Sequence, residues 1–528
     1  MKNTSFAAIF LMTCWLALIA LPGQSSRAQE IEYFHIQVVD EETGRGVPLI
    51  ELKTVNNLRF ISDSAGNIAF HEPGQMNKDV FFHVAGHGYQ YKADGFGYRG
   101  LRLKTAPGAK STIKIRRVNL AERLYRITGA GIYRDTALLK LAPPIEKPLV
   151  NGGVLGSDSI VNAIYRGKLY WFWGDTNRAT YPLGNFQVAG ATSELPKQID
   201  PSVGINLNYF VDAQGFAKQM APVPGKGPTW IFGLLTFRDA EGQERMLAKY
   251  EKIKPPMEAY ERGLVLFNDS QQQFEKLAQF DLAAPLFPRG QTMRLKTNDS
   301  DHFYFATPFP LVRVQANLEA IKDTNRYEAF TYFKSNVPVL KNEKGEFQFA
   351  ADQLDRGADG KLILRWRPNA FPISPRVENS LIKQKLIGAQ ESCTLVQDID
   401  SGKTIQLASG SVAWNEFRKK WVMIAVQAWG NSMLGEVWYA EADAPEGPWR
   451  LAKKIVTHDD YSFYNPRHHP YFDQDEGRTI YFEGTYTKMF SGSKVGTPRY
   501  DYNQILYRLD LNRIPSMVKS HRNGNPTR

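Results

Sequence analysis

The residues best placed to do chemistry in this chain are carboxylates set among aromatic rings. Asp158 lies in the run Gly-Ser-Asp-Ser, where small neighbours leave its carboxylate accessible, and Asp175 ends the run Tyr-Trp-Phe-Trp-Gly-Asp-Thr one hairpin later. Glu436 stands between Gly435 and a Val-Trp-Tyr strand, where aromatic surroundings would raise its pKa and fit it to donate a proton. Two acids flanking an oxocarbenium-like transition state, with flat rings to stack on sugars, constitute the chemistry of glycoside cleavage. Trp173, Tyr181, Trp429 and Trp438 are the candidate stacking surfaces. Arg467 and His469 are candidate substrate contacts, in a segment where Asn465, Arg467, His468 and His469 converge ahead of a strand bearing Glu483. His469 could also hold an axial ion or water, or exchange a proton. No cofactor is required by the sequence, and an axial Ca2+ is the one metal considered.

Each of these residues also has a structural reading. Asp158 and Asp175 suit turns in which the carboxylate caps its own backbone. Glu436 suits an edge glutamate paired with a nearby Arg or Lys. His469 suits a satisfied core histidine, and Asp473 with Asp475 suits a turn that lacks the full spacing of a calcium loop. Other chemistries lack their signatures: there is no H-E-x-x-H, no Gly-x-Ser-x-Gly elbow, no phosphate loop and no paired C-x-x-C.

The elements that must position these side chains are strands. Short alternating apolar runs broken by Gly, Asp and Asn dominate, and helical periodicity is nearly confined to "NLAERLYR" (119–126) and "QANLEAIKD" (315–323). Residues 1–28 read as a secretory signal peptide, with an apolar run from Phe6 to Leu21 and a Ser26-x-Ala28 cleavage site. The rival, an uncleaved anchor, needs a run of about 20 residues, and this one is shorter. No later segment could cross a membrane, so a secreted or periplasmic protein is expected. Cys14 leaves with the signal and Cys393 stays alone, a buried small hydrophobe in a chain stabilised by its core and not by disulfides.

The formal charge is +11, about +9 after loss of Lys2 and Arg27. The positive residues are scattered, with no tract longer than "IKIRR", which disfavours nucleic acid and leaves carbohydrate as the expected partner, with a lean toward an acidic glycan.

Two regions separate within the mature chain. Residues 31–118 alternate apolar positions around turns at Asp40–Gly44, Ser62–Gly66 and Gly86–Tyr89, the pattern of a small sandwich. With Gly46-Val47-Pro48 and Ser62-Asp63 in place, this region resembles the carboxypeptidase regulatory-like (transthyretin-like) domain, which implies no catalytic residues of its own. From 125 to 515 an aromatic-rich strand recurs five times, as "KLYWFWGDT", "TWIFGLLTF", "HFYFATPF", "KKWVMIAVQAW" and "RTIYFEGTYT". Starts lie roughly 60 to 75 residues apart except for one gap of roughly 120, which holds an insertion at 335–390. The pattern predicts an all-β chain: a five-bladed β-propeller after the small N-terminal sandwich, with the first strand of each repeat lining a central channel, and a basic tail at 516–528. A pair of β-sandwiches is the alternative.

"GSDS" with "YWFWGDT", and the late "NPRHHPYFD…IYFEGTYT", resemble the five-bladed propeller glycosidases of the arabinanase and β-xylosidase superfamily. They also resemble a related propeller family marked by an aromatic run ending in Gly-Asp-Thr, some members of which act on arabinan. The resemblance implies Asp158 as base or nucleophile, Asp175 as the acid that tunes it and Glu436 as proton donor. The Arg-Asp-Pro usual on a second blade is absent, and Arg238-Asp239 precedes Ala240 in what reads as a hairpin turn. A secreted glycoside hydrolase, a non-catalytic glycan-binding propeller and a scaffold whose acids are all turn residues are the three readings of this pattern.

Overall fold

Strands are the main regular structure in the computed structural model, which describes residues 31–515 and 517. The expected signal at 1–28, and the tail at 516–528 apart from Met517, lie outside the described residues. Among the described residues the α-helices are Arg134–Leu138, Leu318–Lys322 and Pro375–Lys383, and no helix is long and apolar enough to cross a membrane.

The N-terminal region forms two four-stranded sheets. One places Phe34–Asp40 between Asn67–Phe70 and Lys110–Arg117, and the other places Glu51–Thr54 and Asp79–Ala85 at its centre. Period-two alternation turns Phe34, Ile36 and Val38 inward, where they share one core with Leu52, Ile68, Phe82, Val84 and Ile113 from both sheets. The expected turns are present: Asp40 Oδ1 accepts the amides of Glu42 (2.8 Å) and Thr43 (3.2 Å), and Asp63 Oδ1 accepts those of Ala65 (3.0 Å) and Asn67 (3.1 Å). A Cβ on Gly66 would fall 2.3 Å from the Val38 carbonyl oxygen, so that turn requires glycine.

This region is tied to the rest by polar contacts as well as packing. Asp63 Oδ2 accepts from the backbone (2.6 Å) and hydroxyl (2.7 Å) of Thr136. Arg123, 1% exposed, donates to the Pro48 carbonyl at 3.2 Å and the Tyr507 hydroxyl at 3.0 Å.

Five sheets follow in chain order, antiparallel except where Val396–Asp398 joins Leu451–Val456 in parallel in the fourth. The first joins Ile160–Tyr165, Lys168–Trp173, Ala189–Ser193 and Asn208–Tyr209; the second joins Thr229–Arg238, Glu244–Lys254, Glu258–Asn268 and Gln273–Phe280. The third runs from Gln291–Lys296 through Asp301–Ala306, Val312–Gln315 and Glu328–Thr331 to Arg365–Pro368. In the fourth, Leu407–Asn415, Lys420–Gln427, Val437–Ala442 and Leu451–Val456 are extended by Val396–Asp398 and Thr404–Ile405. The fifth contains Ser462–His468, Thr479–Thr487 and Asn503–Asp510, and its fourth strand is Glu122–Arg126, from ahead of the first sheet. The leading strands neighbour one another in succession. Arg467 of the last donates to the Asn162 carbonyl of the first at 2.9 Å.

Two expectations change and one holds. Residues 122–126 are a strand and not a helix: all five are buried, and the ladder to Asn503–Asp510 satisfies a backbone that helical spacing of two leucines could not place. The helix expected near 315–323 does form, over Leu318–Lys322, capped by Asn317 Oδ1 on the Ala320 amide (2.9 Å). The aromatic strand is the second of its sheet in four cases and the first only in Thr229–Arg238. A second strand has a neighbour on both edges and a layer on both faces, so its apolar run need not alternate; Leu169 to Trp173 are all buried.

The 335–390 segment holds a small hairpin, the last strand of the third sheet and the helix Pro375–Lys383. Glu378 of that helix is buried and accepts the amides of Cys393 (2.8 Å) and Thr394 (2.8 Å). Cys393 is itself buried, and burial pushes its thiol up to about 12.

Candidate functional site

Asp158 and Asp175 occupy the same point of the fold. A three-stranded sheet of Val154–Ser157, Thr176–Arg178 and Tyr181–Asn185 abuts the first four-stranded sheet, and two chain segments pass antiparallel from one to the other. One passes through Asp158 and Ser159, the other through Gly174 and Asp175. The regular ladder stops at Ser157–Thr176 and resumes at Ile160–Trp173. In the gap the Asp158 amide reaches the Asp175 carbonyl (3.3 Å), and the Gly174 amide reaches the Asp158 carbonyl (2.8 Å).

The local sequence explains this break. A Cβ on Gly174 would lie 2.2 Å from Asp158 Oδ1, so glycine makes the space the carboxylate fills. Thr176 Oγ1 pairs with Ser157 Oγ at 2.9 Å and holds the two segments together below the gap. Ser159, Asn465 and Tyr502 adopt left-handed φ values of 45°, 49° and 64°, and the Asn465 amide donates to Ser159 Oγ at 2.7 Å. Non-glycine residues held at positive φ on three segments around one carboxylate mark a place where the fold overrides local preference.

The donors differ for the two acids. Half-buried Asp158 accepts from the Tyr464 phenol at 2.7 Å and from the Tyr502 phenol. Burial pushes its carboxyl up to about 6, opposed by those two hydrogen bonds. Asp175, 8% exposed, accepts from Trp230 Nε1 of the second sheet at 3.3 Å. Burial and then the charge of Asp158 push it up to about 7, opposed by Trp230. The two acids therefore sense one another, and the better-solvated one has the stronger donors.

The remaining expected residues have other surroundings. Glu436 is 1% exposed, and its Oε2 accepts the Asn431 amide at 3.1 Å. Thr457 Oγ1 stands 3.5 Å from its Oε1, and burial raises its pKa. Its carboxylate is occupied by its own loop. Trp173, 1% exposed, lies in the core, stacked on Trp171 at 6.2 Å and on Tyr209 at 5.2 Å. Trp438, 3% exposed, is packed into the core with its Nε1 on Gln427 Oε1 (2.9 Å). These two offer no face to a sugar, because each lies on an interior strand flanked on both edges and covered on both sides. Tyr181 and Trp429 are exposed.

His469 and Glu483 form a sealed pair, both fully buried, with His469 Nε2 2.8 Å from Glu483 Oε1. Burial drives the histidine well below its ordinary value and the glutamate up to about 8, so the pair is neutral around pH 7. His469 Nδ1 faces Asn162 Nδ2 and the Tyr471 hydroxyl, each at 3.2 Å. His468 pairs with Asp473 at 2.9 Å, so that acid serves the histidine as well as its turn. Among the described residues no group of three or more His, Cys, Asp or Glu side chains could hold a metal ion.

Sequence reasoning missed Tyr464, Tyr502 and Trp230. Trp230 stands inside the recurrent "TWIFG" strand and Tyr464 directly ahead of "NPRHHPYFD", so their types were visible while their partners were not. Tyr502 follows a turn in "PRYDYNQ" with no pattern to mark it.

No protein-family model matches the chain, and no curated protein matches it. Among solved structures, an exo-β-1,3-galactanase from Phanerochaete chrysosporium, crystallised with β-1,3-galactotriose, aligns with a TM-score of 0.35 and 9% identity over 73% of this chain and 64% of that one. A family-43 enzyme from Xanthomonas citri, complexed with xylotriose, aligns with a TM-score of 0.32 and 9% identity over 70% of this chain and 88% of that one. Scores and identities this low carry no conclusion about the fold or activity of this chain.

Proposed function

We propose that this chain is an exported five-bladed propeller glycoside hydrolase in which Asp158 and Asp175 form the reacting pair. The observation that carries the reading is the pair itself: two carboxyl groups at a break between sheets, one held by two phenols and the other raised by burial and then by its neighbour's charge. The blades are the five sheets of 160–510, with Glu122–Arg126 closing the ring by completing the last. Signal cleavage after Ala28 would leave Gln29 as the first residue, and the two N-terminal sheets serve as a non-catalytic, carboxypeptidase regulatory-like module.

In this mechanism Asp175 donates its proton to the glycosidic oxygen as the bond to the anomeric carbon breaks. Asp158, ionised and steadied by Tyr464 and Tyr502, attacks that carbon or takes a proton from the water that does. Glu436, the donor suggested by resemblance, is replaced in that role by Asp175, because its carboxylate is committed to Asn431.

The test is release of reducing sugar by the mature protein from neutral, uronic and sulfated polysaccharides, with Asp158→Asn and Asp175→Asn alongside. Cleavage by the wild type alone is expected. Equal turnover by either variant removes that residue from the mechanism, and binding with no cleavage across the panel replaces the hydrolase with a glycan-binding protein.

A further inference from the structure

Next to the Asp175 partner Trp230 lies a group of cations that the reaction does not use. Trp230 faces Glu251 across the second sheet, Phe232 faces Lys249, and Glu251 in turn faces Arg262. The 285–290 segment packs over this face, since the Gly233 amide bonds the Gly290 carbonyl at 2.9 Å, and it brings in Phe287 and Arg289. Three cations surround the one ring of Phe287: Lys249 Nζ at 5.3 Å, the Arg262 guanidinium at 3.9 Å and that of Arg289 at 4.5 Å from its centroid.

Their counter-charge is incomplete. Glu251 pairs with Lys249 at 3.0 Å and acts on Arg262 and Arg289 only through space, as the more weakly felt Asp281 does on Arg262, so one close carboxylate serves three cations. The arginines otherwise turn to carbonyls, Arg262 to Leu282 and Arg289 to Pro285. Each has a buried Nε with no partner, and Arg262 is 8% exposed. Cations held this close repel and are costly to bury unpaired. Burial and mutual repulsion lower Lys249 to about 8 and Arg289 to about 10. Trp230, Phe232, Phe287 and Arg289 keep partly exposed surface, so the cluster opens outward beside the acid pair.

We infer that Lys249, Arg262 and Arg289 form an anion subsite that takes a carboxylate or sulfate carried by the glycan, with Trp230 linking it to Asp175. This rests on the hydrolase reading only for which molecule carries the anion. A planar guanidinium suits a two-oxygen anion, and filling the site would satisfy the free Nε donors.

The experiment measures binding in the Asp158→Asn background, which removes turnover, using a heparin-type sulfated oligosaccharide, an oligogalacturonate and a neutral arabino-oligosaccharide. Arg289→Gln should weaken the anionic ligand about tenfold or more and leave the neutral one unchanged, and whether sulfate or carboxylate binds identifies the group. Glu251→Gln, which removes the competing carboxylate, should tighten the same ligand, giving a gain that misfolding cannot mimic. No anionic binding, or anionic binding indifferent to both variants, overturns the subsite. Cleavage of a neutral glycan together with that indifference would leave the hydrolase standing alone, and Arg289-dependent binding with no cleavage of any glycan by the wild type would leave the subsite standing alone.

Discussion

The chain holds two strongly perturbed titratable pairs of opposite character. In the pair Asp158–Asp175 both groups are raised, yet Asp158 is half-buried and the pair draws donors from the second and fifth sheets. In the pair His469–Glu483 the shifts are at least as large, but both partners are sealed and serve one another. A perturbed pKa therefore does not by itself mark a reactive group. Access and convergent donors separate the two cases, and the first pair alone has both.

Breaking the comparison hardest is Asp158→Asn, expected to lower turnover at least about 1,000-fold with the unfolding midpoint little changed, because it removes the reacting group and keeps its shape. Steady-state kinetics beside a thermal scan reads both. The pair should next give a bell-shaped kcat/KM profile. Below about 6 the proton that Asp158 must lose returns, and above about 7 the proton that Asp175 must donate departs, so activity falls on both sides. A plateau extending to pH 9 would remove Asp175 as the acid.

The sealed pair should answer in stability and not in rate. Glu483→Ala should cost about 2–4 kcal/mol in denaturant titration, from a lost hydrogen bond and a cavity, while Glu483→Gln costs less. Native Glu483 keeps its proton up to about 8, whereas the unfolded chain releases it near 4.5, so folding takes up a proton between those values and stability falls as pH rises through them. Glu483→Gln should flatten that decline relative to wild type. His469 acts oppositely, withdrawing stability as pH drops through its unfolded value of 6.5. The smallest expected effect is Trp230→Phe, which deletes one 3.3 Å hydrogen bond to Asp175. It should cost a few-fold in kcat/KM and move the alkaline limb upward, a readout that mere loosening of packing would not give.

What the sequence disclosed follows the range of the interactions. The alternation of Phe34, Ile36 and Val38 exposed the first sheet, and the aromatic recurrences exposed the later ones, because both patterns are written in neighbouring residues. The edge partner of Asn503–Asp510 was hidden, since nothing local to Glu122–Arg126 says that it pairs far along the chain. The acid pair was legible because Gly174 and Asp175 adjoin and Asp158 lies one hairpin away. Its donors were not, because Trp230, Tyr464 and Tyr502 reach it from other sheets. Trp173 and Trp438 misled for the converse reason: their type suits sugar, but a strand flanked on both edges buries either face.

The strand Glu122–Arg126 has a consequence in time. Its register places Arg123 opposite Tyr507, 384 residues later, so during synthesis it must wait for a partner that emerges near the end of translation. Closure of this kind is slow because distant segments must meet before any contact rewards them. A chain cut short before residue 503 would therefore leave the last sheet half made with an unpaired edge, and shielding that edge would favour folding over aggregation.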